Sequence, residues 1–479
     1  MLCLVIVVPF LPYLLCICPV AFDLLTISFS GRVIRRILQH RRFHVSHALI
    51  EHIISAPQTD NPLYLTILTE HLPRLAKSRP LEEKVTMFLR APDAAALFGQ
   101  VIVMVEEDFE DTSVVSDFLT CLYVSRSGLS ETEIEEMLGI ESTIWSRLHE
   151  ALAPSLITRC GLITFLHEGL KQAVGARFFK SSVDRLNAYQ KLINYFSKKM
   201  HDGCVGQRVV DELPCLLESV NDLEQLKLCI SNIRLFDRLF HKERKYDLFR
   251  YWVATAAPSQ EISLLYRASL DAYEADALCN QKEIARLAHK IGEYIRDGGH
   301  YNEAIYFFEK ALRTKRVEFG ENSVEVATTM NELGRLFFRL GRNEETLHMW
   351  KRSLEIREMA KGGREDHDIA ISLNNLALIY EKMGRWQEAE PTYKRALEIY
   401  KQVSGPEHPD VAITYHNLGL LYSSHSNRLK DSEEMYLKAL AIKEKHYGKD
   451  HNELAMTLNN LGLVYSKSAL FEYSTPSLI

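Results

Sequence analysis

Apolar residues recur at three- and four-residue spacing along the chain from about residue 31 onward, the period of helices that bury one face. In the second half this spacing itself repeats. Segments 329–338 (TMNELGRLFF), 372–381 (SLNNLALIYE), 414–423 (TYHNLGLLYS) and 457–466 (TLNNLGLVYS) align without gaps, and a weaker copy precedes them at 288–300. The reference apolar residues Ile291, Leu333, Leu376, Leu418 and Leu461 are separated by 42, 43, 42 and 43 residues. A unit of that length cannot cover its own apolar face, so neighbouring units must stack to make a core.

Each unit has one internal grammar. A small residue follows the reference position: Gly292, Gly334, Ala377, Gly419 or Gly462. A glycine eight residues after the reference position, at Gly299, Gly341 and Gly384, predicts a hairpin between two helices. The second helix then carries a small residue, an aromatic and another small residue: Ala304/Phe308/Ala311, Thr346/Trp350/Ser353, Ala389/Tyr393/Ala396 and, displaced by one, Ser432/Tyr436/Ala439. Antiparallel helices approach closely only where side chains are small, and the aromatic fills the remaining gap. This pattern resembles the long tetratricopeptide (TPR) variant of kinesin light chains, and residues 405–419 (GPEHPDVAITYHNLG) match that variant's linker. The resemblance implies an all-α fold with a right-handed TPR α-solenoid over residues 283–479, of about five repeats. The last is expected to be incomplete, because residues 471–479 (FEYSTPSLI) stand where its second helix should be; the chain looks truncated at this end.

Upstream, helical periodicity dominates again. Residues 32–77 centre on DNPLYLTILTEHLP at 60–73. Residues 111–179 predict a helix at 114–125, a second opened by Ser130 with Glu133 in the capping-box position, and a third near 144–152. Two short strands, 156–159 and 162–165, follow around Cys160-Gly161, and a helix starts at His167. Three helices and a two-stranded wing make a winged helix. Together these segments resemble the C-terminal part of a NACHT module of the STAND class of signalling NTPases, and its combination with such repeats resembles the NACHT–tetratricopeptide family of nephrocystin-3. On that resemblance Asn61-Pro62-Leu63 matches the lid motif, and Phe165-Leu166-His167 the winged-helix segment whose histidine touches the nucleotide. Pro62 and His167 are then vestigial nucleotide contacts. Pro62 reads equally as the first residue of a helix after Asp60 and Asn61, and His167 as a helix-start residue packed at the wing. The implied division is a lid-like region at 31–107, a winged helix at 108–180, a helical connector at 181–282 and the repeats from 283.

Catalytic chemistry has no carrier. Phosphate binding needs a glycine-rich loop with a lysine, and no GxxxxGK[ST] occurs. The ATPase implied by the family would lie upstream of residue 30. GxSxG, HExxH and CxxC are absent, and Glu106-Glu107-Asp108 reads as a solvated helix flank. The chain is therefore expected to be no enzyme, with no cofactor and no metal. Nine scattered cysteines form no disulfide or zinc framework and are expected to be buried free thiols of a reducing compartment. A net charge of −6 speaks against nucleic acid, and the second helix of the winged motif, at 131–138, carries four glutamates that would repel phosphate.

Residues 1–29 contain an uncharged apolar stretch from Met1 to Phe22, followed by arginines at 32, 35, 36, 41 and 42. It reads as a signal anchor, a cleaved signal, or a segment with no role in this fold. Pro9, Pro12 and Pro19 disfavour a straight spanning helix, so membrane contact arises only if residues 1–22 insert. The rest is expected in the cytoplasm, or at a cilium on the family resemblance.

In such arrays the first helix of each unit lines a groove. The residue two before the reference position faces inward: His289, Asn331, Asn374, His416 and Asn459, with Asn375, Asn417 and Asn460 at the edge. An amide both donates to and accepts from an extended backbone, which suits a peptide partner. Arg339, Lys382 and Lys467 would favour an acidic one. The other reading is that the asparagines brace one hairpin against the next. The leading expectation is thus a non-enzymatic scaffold holding a partner peptide. The alternative is a truncated STAND regulatory NTPase whose repeats act as its sensor, which a P-loop encoded in frame upstream of Gly31 would decide.

Overall fold

The computed structural model describes residues 45–75, 81–109, 111–241, 244–275, 280–362, 364–424 and 428–474. The apolar stretch 1–29 lies outside these residues. Two units divide at Leu226/Lys227.

The first unit begins with α1 (His47–Ile54), α2 (Pro62–Leu75), α3 (Leu81–Phe88) and α4 (Ala94–Glu107). Asn61 ends a short 3-10 turn and caps α2, its side chain accepting from the amides of Leu63 at 2.9 Å and Tyr64 at 3.4 Å. The buried Tyr64 hydroxyl lies 2.7 Å from the Phe88 carbonyl and 3.1 Å from that of Ala91, tying α2 to the end of α3. The winged motif follows as α5 (Thr112–Val124), α6 (Glu131–Leu138), α7 (Ser142–Leu152), β1 (Leu156–Arg159) and β2 (Leu162–Phe165). The Ser130–Glu133 capping box is complete, and Gly139 closes α6 in the left-handed conformation. The strands pair antiparallel around Cys160 and Gly161, both with positive φ, and Leu129 adds a bridge to Ile163. α8 (Glu168–Phe178) packs on α4.

The expected connector at 181–282 is divided between the two units. α9 (Ser182–His201) lies on α5 and α10 (Gln207–Ser219) on α9. Polar chemistry fixes α10 in place. The Glu212 carboxylate, fully buried, accepts from the amides of Arg126 and Ser127 and from the Ser127 hydroxyl. Arg208 bridges Glu212 to Glu133 of the capping box. Every charge in this network has its partner, which burial demands.

In the second unit α11 (Ile233–Leu239), α12 (Lys245–Thr255) and α13 (Ser259–Glu274) precede the repeats and pack with their first helix. Tyr266 accepts from the Trp252 indole at 3.1 Å and its hydroxyl lies 3.2 Å from the Ile230 carbonyl. Asp237 takes a forked pair of bonds from Arg286, both 2.8 Å, and one from Lys290 at 2.7 Å. The helical stack therefore starts upstream of residue 283.

Four hairpins follow: α14 (Gln281–Asp297) with α15 (Tyr301–Phe319), α16 (Val324–Arg339) with α17 (Asn343–Lys361), α18 (His367–Lys382) with α19 (Trp386–Val403), and α20 (Pro409–Ser423) with α21 (Leu429–Tyr447). A further first helix, α22 (Ala455–Ser474), packs on α21. All five reference residues are buried. The small-residue rule has a direct geometric cause. A Cβ on Gly292 would stand 2.9 Å from the Phe308 ring, one on Gly334 2.5 Å from Trp350 Cδ1, and one on Gly419 2.9 Å from the Tyr436 ring. Gly299, Gly341 and Gly384 turn each hairpin with φ of +83°, +76° and +74°.

The cysteines need one correction. Cys121 and Cys229 are buried free thiols, and burial pushes the Cys121 thiol up to about 12. Cys160 and Cys204 are exposed instead, Cys160 because it occupies the wing turn. Among the described residues no helix is long and apolar enough to cross a membrane.

Candidate interaction face of the repeats

Successive first helices lie side by side, so the same offset in neighbouring units meets across a seam. Asn375 Nδ2 donates to Asn331 Oδ1 at 3.0 Å, Asn417 Nδ2 to Asn374 Oδ1 at 3.1 Å, and Asn460 Nδ2 lies 3.4 Å from His416 Nε2. At these three seams the residue before the reference leucine thus bonds back to the inward residue of the preceding unit, whereas Glu332, before Leu333, pairs with Arg296 instead. Asn331 and His416 are buried, His289, Asn374, Asn375, Asn417 and Asn460 are half-buried, and Asn459 is exposed. One amide edge of each asparagine pair is committed to the scaffold.

The basic residues behave in the same way. Lys382 Nζ donates to the Phe338 carbonyl at 3.1 Å and stands over the Phe338 ring, and Lys467 Nζ donates to the Ser423 carbonyl at 3.1 Å. Each ammonium satisfies a carbonyl in the last turn of the preceding first helix, where the helix dipole is negative. Arg339 is exposed.

A second set of cations escaped the sequence reading. Lys315 Nζ donates to Thr329 Oγ1 at 2.8 Å, Arg357 Nη1 to Ser372 Oγ at 2.8 Å, and Lys443 Nζ to Thr457 Oγ1 at 3.1 Å. Desolvation holds all three below their ordinary values. At two seams the hydroxyl also faces a histidine: Thr329 Oγ1 is 3.4 Å from His289 Nδ1, and Thr457 Oγ1 is 3.1 Å from His416 Nδ1. Burial, then Lys315 and Arg296, push His289 down to about 3; burial, then Lys443, push His416 down to about 4. The signal was present in the sequence, since these cations stand 24 or 25 residues after Ile291, Leu333 and Leu418. It was invisible without knowing which helix each would meet.

In the first unit, Pro62 takes the first position of α2. His167 immediately precedes α8 without making a side-chain cap, and its ring lies 6.3 Å from that of Phe98. Burial lowers the His167 pKa. Glu106 pairs with Arg177.

A stack of helical hairpins with a small residue under an aromatic in each unit defines a tetratricopeptide solenoid protein, and the tetratricopeptide repeat family model matches residues 368–445. The chain is nephrocystin-3-like: the nephrocystin-3 TPR domain model matches residues 189–404 and the nephrocystin 3 helical domain model residues 44–178. Human nephrocystin-3 is 25% identical over 287 residues, which cover 58% of this chain and 22% of that protein. The chain thus matches about a fifth of the length of that curated relative. Among solved structures, BtubC (BKLC) from P. vanneervenii is similar at a TM-score of 0.39 and 24% identity, over 45% of this chain and 86% of that one. A STAND protein with a tetratricopeptide repeat sensor from Pyrococcus horikoshii gives a TM-score of 0.38 and 11% identity, over 93% of this chain and 73% of that one.

Proposed function

We propose that this chain is a non-enzymatic scaffold that holds an extended, acidic partner peptide along the first helices of its repeats, within a ciliary or signalling assembly of the cytoplasm. Tetratricopeptide arrays are protein-interaction modules, and the nephrocystin-3 relationship fits a ciliary setting. The observation that carries the finer reading is the ladder itself. Asn374, Asn375, Asn417 and Asn460 are half-buried, so each retains amide capacity toward solvent after its bond to the neighbouring unit. The seam cations Lys315, Arg357 and Lys443 add positive potential beside it, which favours carboxylates. Pro62 is exposed at the first position of α2 and His167 stands just before α8 with its ring 6.3 Å from that of Phe98, so the regulatory-NTPase reading draws no support from either.

The test is capture of binding proteins from ciliated-cell lysate by the full chain and by Asn374→Asp. The aspartate keeps the oxygen that Asn417 needs but adds a charge that repels carboxylates. Partners recovered by the parent and lost by the variant support the reading; identical partner sets overturn it.

A further inference from the structure

Several cations on α8 and α9 of the first unit are neutralised by carboxylates. Arg177 pairs with Glu106, Lys191 with Asp117 at 2.5 Å and Lys199 with Glu136 at 2.7 Å. Lys171 on α8 and Arg185 on α9 are different. Among the described residues neither makes an ion pair or a hydrogen bond, and both stand over one ring: Lys171 Nζ is 5.5 Å and Arg185 Cζ 5.8 Å from the centre of Tyr123. Glu168, three residues before Lys171, makes no ion pair with it. Asp184, with Lys180 close by, accepts from the Ser181 amide at 2.8 Å in the capping box that opens α9. The Tyr123 hydroxyl also has no hydrogen-bond partner among the described residues.

These donors are held in place by packing. The Tyr123 ring lies against α8, where a Cβ on Gly175 would stand 3.4 Å from Tyr123 Cε2. Phe179 packs beside it, its ring centre 4.8 Å from that of Tyr123 and 5.5 Å from Arg185 Cζ. Two like charges at one ring repel, and the ring's negative face offsets only part of that. An anion seated between them turns the repulsion into attraction. A guanidinium fork, an ammonium and a phenol supply several donors to a tetrahedral oxyanion. A phosphate monoester carries about −1.5 to −2 charges at neutral pH, which the two cations neutralise.

A cleft of about 460 Å³ adjoins the cluster: on its wall Thr120 stands one turn before Tyr123, Phe178 is next to Phe179, and Asp184 is next to Arg185. Most of the remaining wall is uncharged and hydrogen-bonding, from the hydroxyl of Ser116 and the amides of Asn187, Gln190 and Asn194. Amides both donate and accept, which matches the hydroxyls of a polyol. Asp117 and Asp184 also line the cleft, so charge beyond a first phosphate is repelled and a triphosphate is disfavoured.

We propose that Lys171, Arg185 and the Tyr123 hydroxyl bind the phosphate of a small phosphorylated polyol whose hydroxyls occupy the adjoining cleft. The probe is glucose 6-phosphate, titrated calorimetrically into the full chain, with inorganic phosphate and unphosphorylated glucose alongside. Saturable binding of glucose 6-phosphate is expected, weaker binding of inorganic phosphate, and none of glucose. Arg185→Gln and Lys171→Gln should each weaken glucose 6-phosphate binding about tenfold, and Tyr123→Phe should weaken it less. Circular dichroism of Arg185→Gln should match the parent because Arg185 is exposed, and Tyr123→Phe keeps the packed ring. Arg339→Gln, which removes an exposed cation of the repeats, should leave binding unchanged. Absence of saturable glucose 6-phosphate binding, or binding indifferent to Arg185→Gln, overturns the proposal. Equal affinity for inorganic phosphate overturns the role of the cleft. Tighter binding of a phosphoserine peptide overturns the small-molecule assignment.

Discussion

Asn417 and Asn374, 43 residues apart in sequence, share one hydrogen bond of 3.1 Å across the seam between the third and fourth repeats, with Asn417 donating and Asn374 accepting. The inward-facing amide is therefore also a brace, and a substitution there acts on scaffold and groove together. Asn374→Ala should lower stability by about 0.5–1.5 kcal/mol, the ordinary net worth of such a bond. Asn417→Ala should cost a similar amount, and the double variant less than the sum, because both singles break the same bond. Urea unfolding of the three variants measures this. Strict additivity would mean that the bond contributes nothing in solution.

The glycines of the first helices give a matched pair. Gly334→Ala places a methyl 2.5 Å from Trp350 Cδ1 and should cost about 1–3 kcal/mol through overpacking. Gly462→Ala meets open space and should stabilise α22 by up to about 1 kcal/mol, through helix propensity alone. Thermal melts should move in opposite directions. A common direction would show that steric fit does not select glycine here.

Acid should loosen the repeat stack. His289 and His416 have folded-state values near 3 and 4, below the ordinary histidine value of 6.5. Between those pH values the unfolded chain binds more protons than the folded one. Their contribution is therefore complete above pH 6.5 and is lost as pH falls toward 4, at roughly 1 kcal/mol per histidine per pH unit. Glu381, raised to about 6 by burial, opposes this between about pH 6 and 4.5. His416→Gln should flatten the fall in melting temperature between pH 6.5 and 4.5 relative to the parent. An unchanged slope would place the acid sensitivity elsewhere.

Nucleotide should be ignored by this chain. No phosphate-cradling GxxxxGK[ST] occurs in its sequence, and backbone amides of such a loop provide most of the hold on a triphosphate. Calorimetric titration with MgATP should give no saturable heat. A micromolar dissociation constant would require a binding site built from other residues.

The sequence by itself determined the repeat unit, its hairpin turn, the small residue under each aromatic, and the capped helices and wing of the first unit. These follow from short-range physics: a 3.6-residue period, a glycine at positive φ, a serine that caps three residues ahead, and a ring that tolerates no Cβ beneath it. Only the tertiary structure decided how those units answer one another. That Asn417 spends its amide on Asn374, that Lys382 satisfies the Phe338 carbonyl, and that Lys315 and His289 meet at one threonine all depend on superposing residues from different helices. A periodic sequence fixes which face each helix buries. Which polar atoms then lie within 3 Å across a seam is set by the stacking of whole hairpins, and no local pattern encodes that distance.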